Sequence, residues 1–346
     1  MFAAENPVGQ PGIGQDTGCS GIVSTPQTVA LIDYTGSETS NSAIFPCYDH
    51  GTLSDLLEAH NPAIGWEYYA SSQFYLWTAP NAISHICEPL AYNGTQPYCS
   101  NSDFQNHVIT TSLGQVLHDL GADTRQGQQV CNLPNNSVTW VIPDGAWSDH
   151  PNPADGNQGW GPSWVASIVN AVGGYNNSGQ QLTSNCGYWG NTLVLITWDD
   201  WGGWYDHVTP PSVIINQQHT WGSGYVYGFR VPLLVVSAYT GIKNSNGTYS
   251  PYVSDPWNGQ GNPPTSCNSL QGQHCMDFGS ILRFVESNWG LLNIGTGNYA
   301  DAHAAPLDAG FFGLTTARPF QYISAPLTQQ SFIIYKGAPQ PPDNDD

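Results

Sequence analysis

The amino-acid sequence predicts a loop-rich α/β fold with a mixed, mostly parallel central sheet that helices cover on both faces. Strand-like apolar runs alternate with helix-like segments, which is typical of such sheets. The 346 residues are 40% hydrophobic and 12% aromatic, enough for a sizeable core. We expect this domain over residues 28–336, after an irregular segment, residues 1–27, and before a disordered acidic tail, residues 337–346.

The first half of the chain contains three predicted strands and two predicted helices. Residues 28–34 are apolar enough for a buried strand, and residues 65–70 form a short aromatic one. Residues 52–59 place three leucines on one helical face, and the threonine at the start is a suitable N-cap. A second helix is expected near residues 113–120, and a third strand over residues 137–143.

The second half repeats the alternation of strand and helix. Residues 162–172 predict an amphipathic helix with a proline near its first turn. Residues 192–197 and 231–237 are apolar and rich in β-branched side chains, so both are predicted strands. Residues 278–289 follow helical spacing, with Asp277 as a candidate N-cap.

The charge balance excludes two classes of partner. Acidic residues number 26 against 6 lysines and arginines, which gives a net charge of −20 at pH 7. Nucleic acids and anionic membranes require clustered cations, so neither is an expected partner. Charged residues make up only 9% of the chain, which fits work in an acidic or extracellular medium. Ordinary secreted-protein composition explains this value equally well.

The cysteines and the lack of long apolar runs bear on localisation. The eight cysteines are scattered without a Cys-x-x-Cys motif, which favours disulfides in a secreted or periplasmic protein over a zinc ribbon. Closeness in sequence suggests the pairs Cys87–Cys99 and Cys267–Cys275, although spacing does not settle connectivity. The sequence contains no run of 18 apolar residues, so it predicts no membrane-spanning helix. The chain starts without a secretory leader, so we expect it to begin inside a longer precursor.

The end of the predicted strand at residues 192–197 carries an unusual density of polar chemistry. Asp199 and Asp200 follow it directly, then a Gly-Gly pair, then Asp206 and His207. Ligands of α/β sheets bind just beyond the carboxyl ends of strands. Carboxylate oxygens suit Mg²⁺, Ca²⁺ or Mn²⁺, and mixed His/Asp sites also hold Zn²⁺ or Fe. A solvated acidic turn is the alternative, but the third acid and the histidine favour a functional site.

Two other segments carry candidate polar groups. Asp149 and His150 follow the predicted strand at residues 137–143, where His150 could bind a metal or a substrate oxyanion. An ordinary loop histidine is an equally good interpretation. His274 lies just before the helix that begins after Asp277, where an anion could bind the helix N-terminus.

These motifs resemble the phosphoesterase family that joins bacterial phospholipase C enzymes with acid phosphatase A, within the alkaline-phosphatase-like superfamily. The longest match is Ile-Thr-Trp-Asp-Asp-Trp-Gly-Gly-Trp-Tyr-Asp-His-Val-Thr-Pro-Pro at residues 196–211. Shorter matches lie at residues 51–57, 65–69, 143–151, 161–165, 228–237 and 277–286. The resemblance extends over residues 28–325 and implies an alkaline-phosphatase-like fold.

The resemblance implies a metal-assisted phosphoric-ester hydrolase that acts on a phosphate ester of unspecified kind. The metal would be one divalent ion, Ca, Mg, Mn, Zn or Fe. By match to the family motifs, the metal ligands would be Asp199 and Asp200, the catalytic histidines His150 and His207, and the substrate-binding residues Asp149, Asp206 and His274.

One part of the family pattern has no counterpart in this sequence. The family places a Glu-Asn-Arg-Ser motif and a Ser or Thr nucleophile before the strand that matches residues 28–34. Without them, the fold is expected to be incomplete at its N-terminus, and the missing part could belong to a longer protein or to a second chain. The chain could instead be an inactive, secreted structural or self-assembling relative. A third alternative is a different nucleophile, for which Ser163 is the best placed serine.

Overall fold

The structure is a computed structural model. It describes residues 18–21, 29–32, 38–125, 128–148, 160–176, 179–182, 186–208, 210, 212–214, 227–254, 266–268, 275–295 and 299–340.

Short strands and helices alternate along these residues. The strands are β1 Val29–Ile32, β2 Glu38–Ile44, β3 Gly65–Tyr69, β4 Leu90–Asn93, β5 Gln96–Cys99, β6 Val108–Ile109, β7 Thr124–Arg125, β8 Gln128–Gln129, β9 Ser137–Val141, β10 Leu193–Thr197, β11 Ser212–Ile214, β12 Leu233–Ser237, β13 Ile242–Lys243, β14 Tyr249–Ser250 and β15 Ser266–Asn268. The helices are α1 Leu53–Ala59, α2 Ser84–Cys87, α3 Ser102–His107, α4 Gln115–Asp119, α5 Trp160–Val172, α6 Phe278–Trp289, α7 Ala300–His303 and α8 Gln329–Ile333.

A parallel three-stranded sheet separates two hydrophobic cores. Strand β3 lies between β6 and β9 and runs parallel to both. Because side chains alternate along a strand, Trp66 and Tyr68 enter the first core and Tyr69 enters the second. Helices α1, α3 and α6 contribute to the first core, and α4, α5 and α8 to the second. The predicted α/β architecture, a parallel sheet with helices on both faces, is therefore confirmed.

Strand β10 lies outside the three-stranded parallel sheet. Its apolar run is long enough for a central strand, whereas the structure pairs it antiparallel with β12, from Leu193 opposite Ser237 to Thr197 opposite Leu233. Its side chains are only half-buried. Val194 nevertheless packs in the second core together with Val141 of β9. An apolar run thus indicates contact with a core but does not specify the neighbouring strand.

Strand β1 also pairs outside the parallel sheet. It occupies the middle of the predicted strand at residues 28–34 and pairs antiparallel with β2. Strand β2 is not predictable from its residues, because Glu38-Thr-Ser-Asn-Ser lacks the apolar character on which strand prediction relies.

The predicted caps of α1 and α6 are both present. At α1, the Thr52 hydroxyl accepts a hydrogen bond from Asp55 N (3.3 Å), and Asp55 Oδ2 accepts one from Thr52 N (2.6 Å). At α6, Asp277 Oδ1 accepts from Gly279 N at 2.7 Å. The two reciprocal caps satisfy backbone N–H groups that a helix leaves without internal partners.

Substituting Thr52→Ala removes the α1 cap and is expected to lower the free energy of unfolding by about 1 kcal/mol. Thr52→Ser keeps the hydroxyl and is expected to retain most of the stability. Urea unfolding of the three proteins, followed by circular dichroism, measures the difference. An equal loss in both variants would contradict a role for the hydroxyl.

The C-terminal segment completes the second core. Phe332 of α8 packs against Trp147 and Trp164, with ring centroids 5.0 and 5.1 Å apart. Further along, Gln340 N donates to Asp144 Oδ2 at 2.8 Å, and Gly145 N donates to Gln340 O at 3.2 Å. Residues 337–340, at the start of the predicted tail, therefore include a fixed contact, and residues 341–346 lie outside the described part of the chain.

Disulfides in the described chain join cysteines that lie 12 to 55 positions apart in sequence. The bonds are Cys19–Cys47, Cys87–Cys99 and Cys131–Cys186, so the predicted Cys87–Cys99 pair is confirmed. Cys275 is also disulfide-bonded, but the side chain of Cys267, its predicted partner, lies outside the described residues. Within the described ranges, no helix is both long and apolar enough to cross a bilayer.

Candidate functional site

The loop at residues 198–208 carries the acidic cluster directly after β10. Asp199 is exposed and Asp200 is half-buried. Asp199 Oδ1 accepts a hydrogen bond from Asp200 N at 3.2 Å, and Asp200 Oδ1 accepts one from Gly202 N. These bonds to the backbone fix both carboxyl groups at the point where the strand ends and the chain turns.

The two glycines of the loop form a turn that other residues would strain. Gly202 and Gly203 have φ angles of 69° and 70°, in the left-handed region. A side chain in that region clashes with its own backbone, so glycine is strongly preferred. The turn separates Asp199 and Asp200 from Asp206 and His207.

Asp206, His207 and Arg230 form a compact polar group at the end of the loop. Arg230 donates from Nε to Asp206 Oδ2 at 2.6 Å and from Nη2 to Asp206 Oδ1 at 2.9 Å, a two-pronged ion pair. Val208 N donates to Asp206 Oδ1 at 3.1 Å, and His207 Nδ1 lies 3.5 Å from the same oxygen. His207 itself is 84% exposed.

The ion pair shifts the pKa values of Asp206 and Arg230 in opposite directions. The hydrogen bond from Arg230, followed by that from Val208 N, holds the pKa of Asp206 well below its usual range. The hydrogen bond to Asp206 in turn raises the pKa of Arg230. The ion pair therefore favours the anionic form of Asp206 and the cationic form of Arg230.

The loop itself exposes four aromatic side chains to solvent. Trp198, Trp201, Trp204 and Tyr205 are all exposed. Phe229 makes edge-to-face contacts with Trp201 and Tyr205, with centroids 5.8 Å apart in both pairs. The loop therefore packs against the segment that carries Arg230.

The structure places the predicted site residues unevenly. It positions Asp199 and Asp200 together and Asp206 beside His207, whereas Asp149, His150 and His274 lie outside the described residues. Arg230 did not emerge from the sequence as a site residue. The available signal was its rarity, as one of six cations, within a segment that matches the family.

Ser163 is not an accessible nucleophile. Its side chain is fully buried in α5, and its hydroxyl accepts a hydrogen bond from Leu327 N at 3.2 Å. The sequence places Ser163 near the start of a helix, but in the structure the segment that contains Leu327 packs over its hydroxyl. The suggestion that Ser163 replaces the family nucleophile is therefore wrong.

The described residues of the loop provide the kind of ligand atom that a metal site needs, but too few of them. Hard divalent ions take about six oxygen ligands, and Asp199 and Asp200 supply carboxylates of the right kind. Among the residues that the structure describes, no group of three or more His, Cys, Asp and Glu side chains is arranged to hold an ion. Further donors would have to come from elsewhere, including water or substrate.

Comparison with known proteins identifies one family. A sequence profile of the Phosphoesterase family matches residues 1–292, which is most of the chain.

Individual relatives are bacterial proteins named phospholipase C. Non-hemolytic phospholipase C of Burkholderia pseudomallei is 30% identical over 168 residues, 43% of this chain and 21% of the relative. Non-hemolytic phospholipase C of Pseudomonas aeruginosa is 24% identical over 284 residues, 79% of this chain and 32% of the relative. Phospholipase C A of Mycobacterium tuberculosis is 29% identical over 173 residues, 45% of this chain and 29% of the relative. The chain thus spans less than a third of each of these relatives.

Proposed function

Since the chain belongs to the phosphoesterase family, we propose that it hydrolyses phosphoric esters at the loop that follows β10. The observation that carries the proposal is the ordered placement of Asp199 and Asp200 before the Gly-Gly turn, and of Asp206 and His207 after it. The names of the relatives favour a phospholipid or another phosphate ester as substrate.

Each polar residue has a proposed role. Asp199 and Asp200 would hold a divalent ion, Mg, Ca, Mn, Zn or Fe, which when bound would neutralise charge on the phosphoryl oxygens. His207, exposed to solvent, can accept or donate a proton at a bound ester. The remaining proposed residues are His150 as a second catalytic histidine and Asp149, Asp206 and His274 as substrate-binding groups.

The disulfides support a location outside the cytoplasm. Such bonds persist in oxidising compartments and are rare in the cytosol. We therefore propose a secreted or periplasmic protein.

The proposed metal ligands can be tested by activity. After treatment with EDTA, hydrolysis of p-nitrophenyl phosphate and of dispersed phosphatidylcholine is measured from pH 4 to pH 9 with each divalent metal. Asp199→Asn and Asp200→Asn are each expected to lower kcat/KM about 100-fold, because an amide oxygen lacks the charge that holds the ion.

Glu88→Gln is the matched control, since Glu88 is an exposed acid at the end of α2, away from the loop in sequence. Wild-type activity in both aspartate variants would remove the ligand assignment. No turnover by the wild-type chain, combined with no retained metal, would favour the inactive structural relative instead.

A further inference from the structure

We propose that Arg230 is a phosphate-binding residue of the site and that Asp206 holds it in the binding orientation. The inference rests on the proposed function only in its choice of ligand, a phosphoryl group. It gives the Asp206–Arg230 pair a role in the site beyond fixing the loop.

The protein carries a large negative charge. A phosphate dianion that approaches a chain of net charge −20 meets long-range repulsion, and three of the carboxylates lie in the loop itself. A local cation is needed to offset this repulsion. Arginine is well suited, because its planar guanidinium matches two phosphate oxygens at once.

The other cations with described side chains are engaged or located elsewhere. Arg283 donates to Ala304 O at 2.5 Å, and Arg318 donates to Ser237 O at 3.3 Å while lying over the Trp189 ring. Two lysines with described side chains, Lys243 in β13 and Lys336 after α8, lie outside the loop. Among these side chains, Arg230 is the one that is paired with a residue of the loop.

The ion pair occupies only part of the Arg230 guanidinium. The bonds to Asp206 use Nε and one hydrogen of Nη2, which are two of the five N–H groups of a guanidinium. The other three are the two hydrogens of Nη1 and the second hydrogen of Nη2, and the Arg230 side chain is 52% exposed. The Nε–Nη2 edge is therefore fixed to the protein, while the Nη1–Nη2 edge can contact a ligand from solvent.

The position of Arg230 is also fixed through its neighbour. Phe229 contacts both Trp201 and Tyr205, and a Cβ at Gly228 would lie 2.6 Å from the Trp201 ring. These contacts hold the backbone on the N-terminal side of Arg230. A donor whose position is fixed before binding loses less conformational entropy when the ligand arrives.

Replacing Asp206 separates this proposal from simple electrostatics. If only net charge mattered, Asp206→Asn would remove a repelling anion and strengthen phosphate binding. If Asp206 orients Arg230, the same change releases the guanidinium and weakens phosphate binding. The two interpretations predict opposite signs.

The test is binding of inorganic phosphate to the full chain by isothermal titration calorimetry at low ionic strength, with no metal added. Arg230→Gln is expected to weaken binding about tenfold or more, Arg230→Lys by less, and Asp206→Asn also to weaken it. Lys243→Gln, which removes an equal charge from an exposed position in β13, is expected to leave binding within about twofold. Circular dichroism checks that each variant is folded.

A measurement on the wild-type protein avoids dependence on the variants. The chain has four arginines, so its Nε–H resonances are few enough to follow by ¹H–¹⁵N NMR during a phosphate titration. A shift of the Arg230 resonance with added phosphate supports the proposal. It is overturned if wild-type protein does not bind millimolar phosphate, if Arg230→Gln binds normally, or if Asp206→Asn binds more tightly. Phosphate binding without ester hydrolysis would leave this inference intact and contradict the proposed activity.

Discussion

Replacing Trp147 with alanine is expected to lower the free energy of unfolding by about 3–5 kcal/mol. The side chain is only 1% exposed and packs against Trp164, Phe332 and Tyr335, with ring centroids 4.9 to 5.3 Å away. Removing it leaves a cavity where three segments of the chain meet, and these segments cannot all collapse into it. Chemical unfolding followed by circular dichroism measures the loss.

Trp147→Phe is the matched control for this substitution. Trp147 Nε1 is buried without a hydrogen-bond partner among the described residues, so phenylalanine loses no hydrogen bond there. We expect this variant to lose clearly less stability than the alanine variant. If the two lose the same amount, ring packing is not the source of the stability.

The unfolding free energy is expected to fall as the pH rises from about 4.5 to about 7, because Glu286 binds its proton more tightly in the folded state. Glu286 of α6 is 4% exposed and faces the fully buried Asp301 of α7. Burial, then the charge of Asp301 and a hydrogen bond to it, raises the pKa of Glu286 to about 7 from its usual 4.5, while Arg283 opposes the shift.

The sign follows from proton linkage. A raised folded-state pKa contributes stability that is fully present below the unfolded pKa, near 4.5, and is lost as the pH passes through the folded value, about 7. The change is on the order of 1–3 kcal/mol. It acts in the direction of greater stability in acid, which agrees with the acidic medium suggested by the composition.

Glu286→Gln removes the titrating group and keeps the shape of the side chain. Its stability is therefore expected to depend less on pH than that of the wild type between pH 4.5 and pH 7.5. Glu88→Gln, at an exposed position, is expected to keep the wild-type profile. Equal slopes for wild type and Glu286→Gln would show that Glu286 does not take up the proton.

Much of the fold could be predicted because its signals are local. Both helix caps follow from the residue types Thr52 and Asp277 at the start of apolar periodic segments, and both are confirmed. Strand pairing is not local. The apolar run of β10 suits a parallel central position and an antiparallel pair equally well. Its partner, β12, is distant in sequence, so the residues of β10 do not specify the pairing.

The site divides in the same way. Asp199, Asp200, Asp206 and His207 are predictable because they are adjacent in sequence to a strand end and match a family motif. The pairing of Asp206 with Arg230 joins residues 24 positions apart, and no periodic pattern in the sequence predicts it. The burial of Ser163 is equally unpredictable from local sequence, since Leu327, which donates a hydrogen bond to its hydroxyl, lies 164 residues away.

The closure of the second core by the C-terminal segment also has a consequence for synthesis on the ribosome. Asp144 and Gln340, which are hydrogen-bonded, are separated by 196 residues, and Phe332 packs on Trp147 across a similar span. Until residues 332–340 have been synthesised, the nascent chain holds Trp147 and Trp164 without this cover. Contacts of such long sequence separation form late and slowly, so the second core stays partly uncovered, and open to aggregation, during that interval of translation.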